Sequence, residues 1–106
     1  MRITTWNVNG LRAAIRKGFS RHLEQIRPDI LLLQEVRARP AQLPKEFQEP
    51  DGWHVVWNPA TRPGYSGTAI WSRFPLVSHQ LGLVDSEADD EGRLIEAELG
   101  GVKVGC

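Results

Sequence analysis

Two short apolar runs near the start of the chain each lead into a polar residue. The first run, residues 3–6 of a strand predicted over residues 2–7, leads into Asn7. The second run, residues 29–33 of a strand predicted over residues 29–34, leads into Gln34 and Glu35. The second run is continuously apolar after its first residue, which is typical of a parallel strand covered on both faces. We therefore predict two buried strands with a carboxamide and a carboxylate at equivalent ends.

The segment between these strands has the spacing of a helix. Residues 11–27 are predicted to be helical with a break at Gly18, and Pro28 ends the helix because the residue before a proline is disfavoured in the α region. One apolar stripe follows the helical period and consists of Phe19, Leu23 and Ile26. The first 35 residues therefore predict a strand–helix–strand unit with a right-handed crossover.

Asn7 and Glu35 are the first candidates for chemistry. In open α/β sheets, ligands bind just beyond the carboxyl ends of the strands. Mg²⁺ prefers oxygen ligands and uses one or two carboxylates together with water and substrate phosphate. A carboxamide beside the carboxylate can orient such a site. Taken alone, Glu35 also fits a merely solvated strand end, and Asn9 before Gly10 also fits simple turn chemistry.

After Glu35 the pattern of residues changes from a strand–helix–strand unit to a proline-containing loop followed by short strands. Residues 36–51 hold three prolines and are predicted to be a loop with at most one helical turn around residues 45–47. The later strands are predicted to form an antiparallel meander, with a hairpin at Gly100-Gly101 joining the last two. These strands are residues 53–57, 68–72, 76–83, 93–99 and 102–104.

The helical segment is too small for this many strands. About 17 helical residues do not cover a mixed sheet of seven strands, so we expect residues 1–106 to be the N-terminal part of a larger domain. A hydrophobic content of 41% and a charged content of 25% fit a globular protein. No apolar run approaches the roughly 20 residues that span a bilayer, so no membrane association is expected.

The charge distribution is uneven although the net charge is zero. Residues 1–45 carry nine basic and three acidic side chains, a net charge of +6, and residues 46–106 carry the opposite charge. A basic half permits a polyanionic partner, although charge runs are usually solvated surface. Cys106 is the single cysteine, so no internal disulfide is possible and a reducing, cytoplasmic location is expected.

Two further segments are candidate contacts for a polyanion. Arg12, Arg16 and Lys17 occupy the first helical turns after the first strand, where a phosphate backbone approaching the strand ends would meet them. The loop Gly64–Gly67 allows a close backbone approach to a ligand, and Tyr65 offers a stacking surface. The alternatives are a solvated helix face and a plain hairpin loop.

Four segments in this order resemble the exonuclease III / apurinic–apyrimidinic endonuclease family of the endonuclease–exonuclease–phosphatase superfamily. Their order along nearly the whole chain makes the match specific, although each segment alone is only moderately so. The segments are residues 6–13, 27–35, 64–73 and 90–98.

The resemblance implies a fold and an activity. The fold would be the N-terminal half of a DNase-I-like four-layer α/β sandwich, with a mixed, mostly antiparallel sheet opened by a βαβ unit. The activity would be Mg²⁺- or Mn²⁺-dependent cleavage of duplex DNA, 5′ to abasic sites and in the 3′-to-5′ direction from strand ends, by a protein that is monomeric at full length. Glu35 would be the metal ligand, and Asn7 would belong to the same metal site as the neighbour that orients its phosphate side. The implied DNA contacts are Arg12, Lys17, Tyr65, Ser66 and Gly67.

The resemblance also implies that part of the active site lies elsewhere. The family's tyrosine, aspartates and histidine, including the general base, fall beyond residue 106, so the chain alone is expected to be inactive. Asn9 stands where some relatives carry aspartate and is not expected to be a second metal ligand. Two alternatives stay open at this stage, namely a phosphodiesterase of the same superfamily with another substrate and a non-catalytic DNA-binding fragment.

Overall fold

The computed structural model describes residues 1–60, 66–76, 78–81, 95–99 and 102–105. In this part of the chain the predicted βαβ opening is present, followed by strands. The elements are β1 (Ile3–Asn7), α1 (Leu11–Arg16), α2 (Phe19–Ile26), β2 (Ile30–Gln34), a 3₁₀ turn (Pro40–Gln42), α3 (Lys45–Gln48), β3 (His54–Asn58), β4 (Thr68–Ser72), β5 (Ser78–Leu81), β6 (Ile95–Leu99) and β7 (Val102–Gly105).

The strands form two sheets. The first has the order β1-β2-β4-β3, with β1 parallel to β2 and the other pairs antiparallel. The second is the antiparallel meander β5-β6-β7. The mixed, mostly antiparallel fold is confirmed. The predicted antiparallel meander is present in the β3-β4 pair and in β5-β6-β7, but it is not continuous, because β4 pairs with β2 and the later strands form a second sheet.

The predicted helix is two helices. Gly18 has φ +100° and caps the start of α2, so the chain turns between α1 and α2 at the predicted break. A side chain at this φ would be strained, and glycine has no such penalty. The region 36–51 contains the predicted helical turn, α3, and also a 3₁₀ turn that was not predicted. The hairpin predicted at Gly100-Gly101 lies outside the described residues.

The helices pack on one face of the first sheet. Phe19 is fully buried there, stacks on Trp6 at 5.1 Å between ring centroids, and meets Phe47 and Trp71 edge to face. Ile30 and Leu32 of β2 point to the opposite face, where they pack with Val56 and Ile70. The strand β2 is therefore buried on both faces, as its continuous apolar run predicts.

No helix within the described ranges has the length and apolarity required to cross a membrane.

Candidate active site

The ends of β1 and β2 meet as predicted. Asn7 is paired with Gln34 in the parallel register, which places Glu35 next to Asn7. The Asn7 side-chain Nδ2 donates a hydrogen bond to Glu35 Oε2. The two residues selected from the sequence are therefore in direct contact at the carboxyl edge of the sheet.

The orientation of the Asn7 amide is fixed by its neighbours. Its Oδ1 accepts a hydrogen bond of 3.0 Å from the Asn9 backbone N–H, and its Nδ2 donates to the Glu35 carboxylate. A flipped amide would place a donor against the Asn9 N–H and an acceptor against the carboxylate. Asn7 therefore acts on Glu35 as an orienting partner, and its oxygen faces the Asn9 peptide.

Glu35 has a second partner, which is charged and which the sequence does not predict. The Arg37 guanidinium lies 2.6 Å from Glu35 Oε1 and forms an ion pair with it. The side chains of Arg37 and Glu35 are 43% and 36% exposed, so the pair sits at the rim of the site. The only signal in the sequence is that Arg37 follows Glu35 by two residues, and this spacing alone does not predict contact in a loop.

The backbone around Glu35 is clamped from both sides. Gly10 N–H donates to Glu35 O and Leu11 N–H to Val36 O, both at 2.8 Å. From the other side, Val36 N–H donates to Gly67 O at 3.0 Å and Arg37 N–H to Ser66 O at 2.6 Å.

The backbone angles at this junction are unusual for residues other than glycine. Glu35 and Arg37 have φ values of +51° and +55°, while Asn9 and Ser66 have +48° and +46°. Asparagine tolerates this left-handed region, but for the others it costs free energy, and such strain is found preferentially at functional sites. The clamp described above supplies the hydrogen bonds that hold Glu35 and Arg37 in this conformation.

The predicted cationic residues divide between two neighbouring pockets. Arg12 and Arg16 line a pocket of about 300 Å³ together with Arg37 and Asn9. Lys17 caps the end of α1 and lines a pocket of about 220 Å³ beside Trp6 and His22. Arg12 is therefore beside Glu35's partner Arg37, whereas Lys17 faces a different surface of the helix.

Ser66 and Gly67, which the sequence predicts as DNA contacts, also support the loop that carries Glu35. The backbone carbonyls of Ser66 and Gly67 hold the Glu35 loop, and Gly67 is buried with φ +94°. Tyr65 lies outside the described residues. Ser66 and Gly67 thus lie at the site, but they contact it through their backbones.

The donor set fits a hard divalent cation. Glu35 offers carboxylate oxygens held by Asn7, and Mg²⁺ binds through one or two carboxylates plus water and phosphate oxygens. Within the described ranges no group of three or more His, Cys, Asp and Glu side chains is placed to hold a metal. A cation bound at this position would therefore meet one carboxylate, that of Glu35, among the described residues.

The chain belongs to the Endonuclease/Exonuclease/phosphatase family, which matches residues 4–105. This agrees with the fold and with the strand-end carboxylate. An exodeoxyribonuclease of Bacillus subtilis (strain 168) is 40% identical over 105 residues, which cover 98% of this chain and 40% of the Bacillus protein.

Two solved structures are also similar over 99% of this chain. One is an AP endonuclease from Archaeoglobus fulgidus, with a TM-score of 0.81 and 34% identity, of which this chain covers 39%. The other is the 3′ phosphatase NExo from Neisseria bound to a product DNA hairpin, with a TM-score of 0.83 and 36% identity, of which this chain covers 40%. The chain therefore spans about two fifths of the length of these relatives.

Proposed function

We propose that this chain forms one wall of the active site of a DNA-repair nuclease. The proposed reaction is hydrolysis of a phosphodiester in duplex DNA, 5′ to an abasic site and in the 3′-to-5′ direction from strand ends. The similar proteins support this substrate class, since they are an exodeoxyribonuclease, an AP endonuclease and a DNA-bound 3′ phosphatase.

One observation carries the proposal: Glu35 is held by Asn7 where two parallel strands end, beside a pocket lined by Arg12, Arg16 and Arg37. A carboxylate next to cationic side chains suits a site that must accept both a divalent cation and a phosphate. A phosphodiester brings oxygens to the cation and negative charge to the arginines.

In the proposed reaction Glu35 would hold Mg²⁺ or Mn²⁺, and Asn7 fixes the carboxylate through its Nδ2 hydrogen bond. A cation held there would supply Lewis-acid polarisation of the scissile phosphate. Arg12 in α1 and Lys17 at the C-terminal cap of α1 are proposed to contact the duplex backbone from two neighbouring surfaces, and they would position the DNA without reading its sequence. Ser66 and Gly67 hold the Glu35 loop, and with Tyr65 they stay proposed DNA contacts.

We further propose that residues 1–106 are an incomplete domain that does not turn over substrate alone. Among the described residues, Glu35 is the one carboxylate at the carboxyl ends of β1 and β2, and it is paired with Asn7 and Arg37 rather than poised to activate water. General acid–base help contributes about 10²–10⁴-fold. The complete protein is proposed to act as a cytoplasmic monomer.

The proposal is tested with a chimera. The 105 matched residues of the Bacillus exodeoxyribonuclease are replaced by this chain, and Mg²⁺-dependent cleavage of an abasic duplex is measured. We expect the chimera to cleave, Glu35→Gln to lower the rate by more than about 100-fold, and Glu46→Gln to leave it unchanged. Glu46 lies exposed on α3 and provides the same chemical change away from the site.

The same assay with this chain alone is expected to show no cleavage. A Glu35→Gln chimera as active as its parent would refute the assignment of Glu35. A chimera that binds abasic duplex without cutting it would favour the non-catalytic alternative. Cleavage of inositol phosphates in preference to DNA would favour the other phosphodiesterase class.

A further inference from the structure

Arg37 has two kinds of neighbour, the Glu35 carboxylate and two other arginines. Its guanidinium pairs with Glu35 Oε1 at 2.6 Å, and its side chain also lines the pocket shared with Arg12 and Arg16. Its backbone N–H donates to Ser66 O, so the side chain extends from a fixed backbone position. Arg37 therefore lies between the carboxylate and the arginine pocket.

A divalent cation that binds Glu35 competes with Arg37 for the same carboxylate. Because both side chains of the pair are more than one third exposed, the pair contributes little to stability, so little free energy opposes its replacement by a divalent cation. Once displaced, the guanidinium has the neighbouring pocket available, where two other arginines already favour an anion.

We propose that Arg37 is an exchangeable counter-ion that couples metal binding to phosphate binding. Without metal it neutralises Glu35. With metal on Glu35 it turns into the arginine pocket and contacts a phosphate of the DNA backbone. This inference rests on the proposed function, because it assumes that Glu35 holds the metal.

The proposed coupling between metal binding and phosphate binding is positive, so each strengthens the other. Metal binding makes Arg37 available to the anion, and an anion that engages Arg37 leaves Glu35 open to the metal. By linkage the two effects are equal in size. The Arg37→Gln variant undergoes the same change in net charge on binding Mn²⁺, so any difference in coupling reports the release of Arg37 rather than general electrostatics.

The experiment measures binding and not turnover. Mn²⁺ affinity of the full chain is measured by electron paramagnetic resonance at fixed ionic strength. DNA affinity with and without Mn²⁺ is measured by fluorescence anisotropy with a closed dumbbell duplex, which has neither abasic sites nor 3′ ends. The variants are Arg37→Gln and Arg37→Lys, with Arg16→Gln as the control that removes a charge from the same pocket without touching Glu35.

We expect Arg37→Gln to bind Mn²⁺ about two- to fivefold more tightly than the parent, and more tightly than Arg16→Gln. Adding Mn²⁺ should raise the DNA affinity of both proteins, and the factor of increase should be about two to five times larger for the parent than for Arg37→Gln. Arg37→Lys should fall between them, because it keeps the charge without the planar fork. Arg16→Gln should weaken DNA binding but preserve the coupling.

The inference is overturned if Arg37→Gln binds Mn²⁺ no more tightly than Arg16→Gln, or if its coupling equals that of the parent. Those outcomes leave the proposed function standing as long as the parent binds Mn²⁺ through Glu35. If neither the parent nor Arg37→Gln binds Mn²⁺, the proposed metal site itself fails and the counter-ion role fails with it.

Discussion

Asn7 shows how one side chain sets the geometry of a neighbouring charge. Its amide has a donor end and an acceptor end, and each faces the complementary group, Glu35 on one side and the Asn9 peptide on the other. Groups that orient a metal ligand in this way contribute substantially to metal affinity even when they do not touch the metal. Asn7 is therefore the residue at which this orienting contribution can be measured.

Replacement of Asn7 by alanine is expected to weaken Mn²⁺ binding by about 10- to 100-fold. The carboxylate loses its Nδ2 donor, and the Asn9 N–H loses its acceptor. The measurement is a Mn²⁺ titration followed by electron paramagnetic resonance. Thr5→Ala is the matched control, because Thr5 is exposed on the same strand two residues earlier. An equal affinity in the two variants would show that Asn7 has no orienting role.

The sequence predicts part of this site. Asn7 and Glu35 are predictable because parallel strands end at the same edge of a sheet, and the register confirms it. Arg37 is not predictable, since its contact depends on two left-handed residues, Glu35 and Arg37, in a three-residue loop. Neither residue type favours that conformation, so local propensity does not indicate it. The clamp by Ser66 and Gly67 depends on two contacts between residues far apart in the chain, Val36 with Gly67 and Arg37 with Ser66.

The two short helices are the elements that bury the aromatic core. The helix α1 has six residues and α2 has eight, too short to be stable in isolation, so they depend on tertiary packing. Phe19, the first residue of α2, contacts the rings of Trp6, Phe47 and Trp71. Its position right after the glycine break places it at the centre of this cluster.

The Phe19→Ala variant is expected to lower the free energy of unfolding by about 3–5 kcal/mol, because it leaves a cavity among three aromatic rings. The measurement is denaturant unfolding followed by circular dichroism. Phe74→Ala removes the same side chain from a position that is 42% exposed and should change stability by less than about 1 kcal/mol. Similar losses for both variants would contradict the assignment of Phe19 to the core.

The strand order is the part of the fold that the pattern of residues does not predict. The bounds of β4 follow from its composition, but its position between β2 and β3 does not. Thr68–Ser72 is buried at every position, which is typical of a central strand, whereas β3 is more exposed. Local alternation identifies strands, while pairing is decided by non-local packing, and a meander is only the simplest arrangement.

At the scale of the whole molecule, the two ends of the first sheet carry different sets of charged side chains. The carboxyl end of β1 and β2 carries the Glu35 site and its arginine pocket. At the other end, the Asp29 carboxylate accepts a 2.6 Å hydrogen bond from Arg2 N–H, and Arg27 and Arg73 line a separate pocket with Asp29. Arginines thus line pockets at both ends of the sheet, and the pocket next to Glu35 is the one that we propose faces DNA phosphate.

Salt dependence is the measurement that tests this polarity. If Arg12 contacts a DNA phosphate, Arg12→Gln should reduce the magnitude of the slope of log affinity against log salt by about 0.9. Arg27→Gln removes the same charge at the opposite end of the sheet and should leave the slope close to that of the parent. Equal changes in both variants would indicate a diffuse attraction in place of a localised interface.

The clamp around Glu35 also has a consequence for the order of folding. The loop is held by residues 10 and 11 on one side and by residues 66 and 67 on the other. The first contacts need only the βαβ unit, whereas the second require β4 to have joined β2. During synthesis, a chain that has reached only β3 would have Asn7 and Glu35 near each other with half of their support missing. If Glu35 binds a cation as proposed, tight binding would arise late, and a bound Mn²⁺ ion would report that β4 has joined β2.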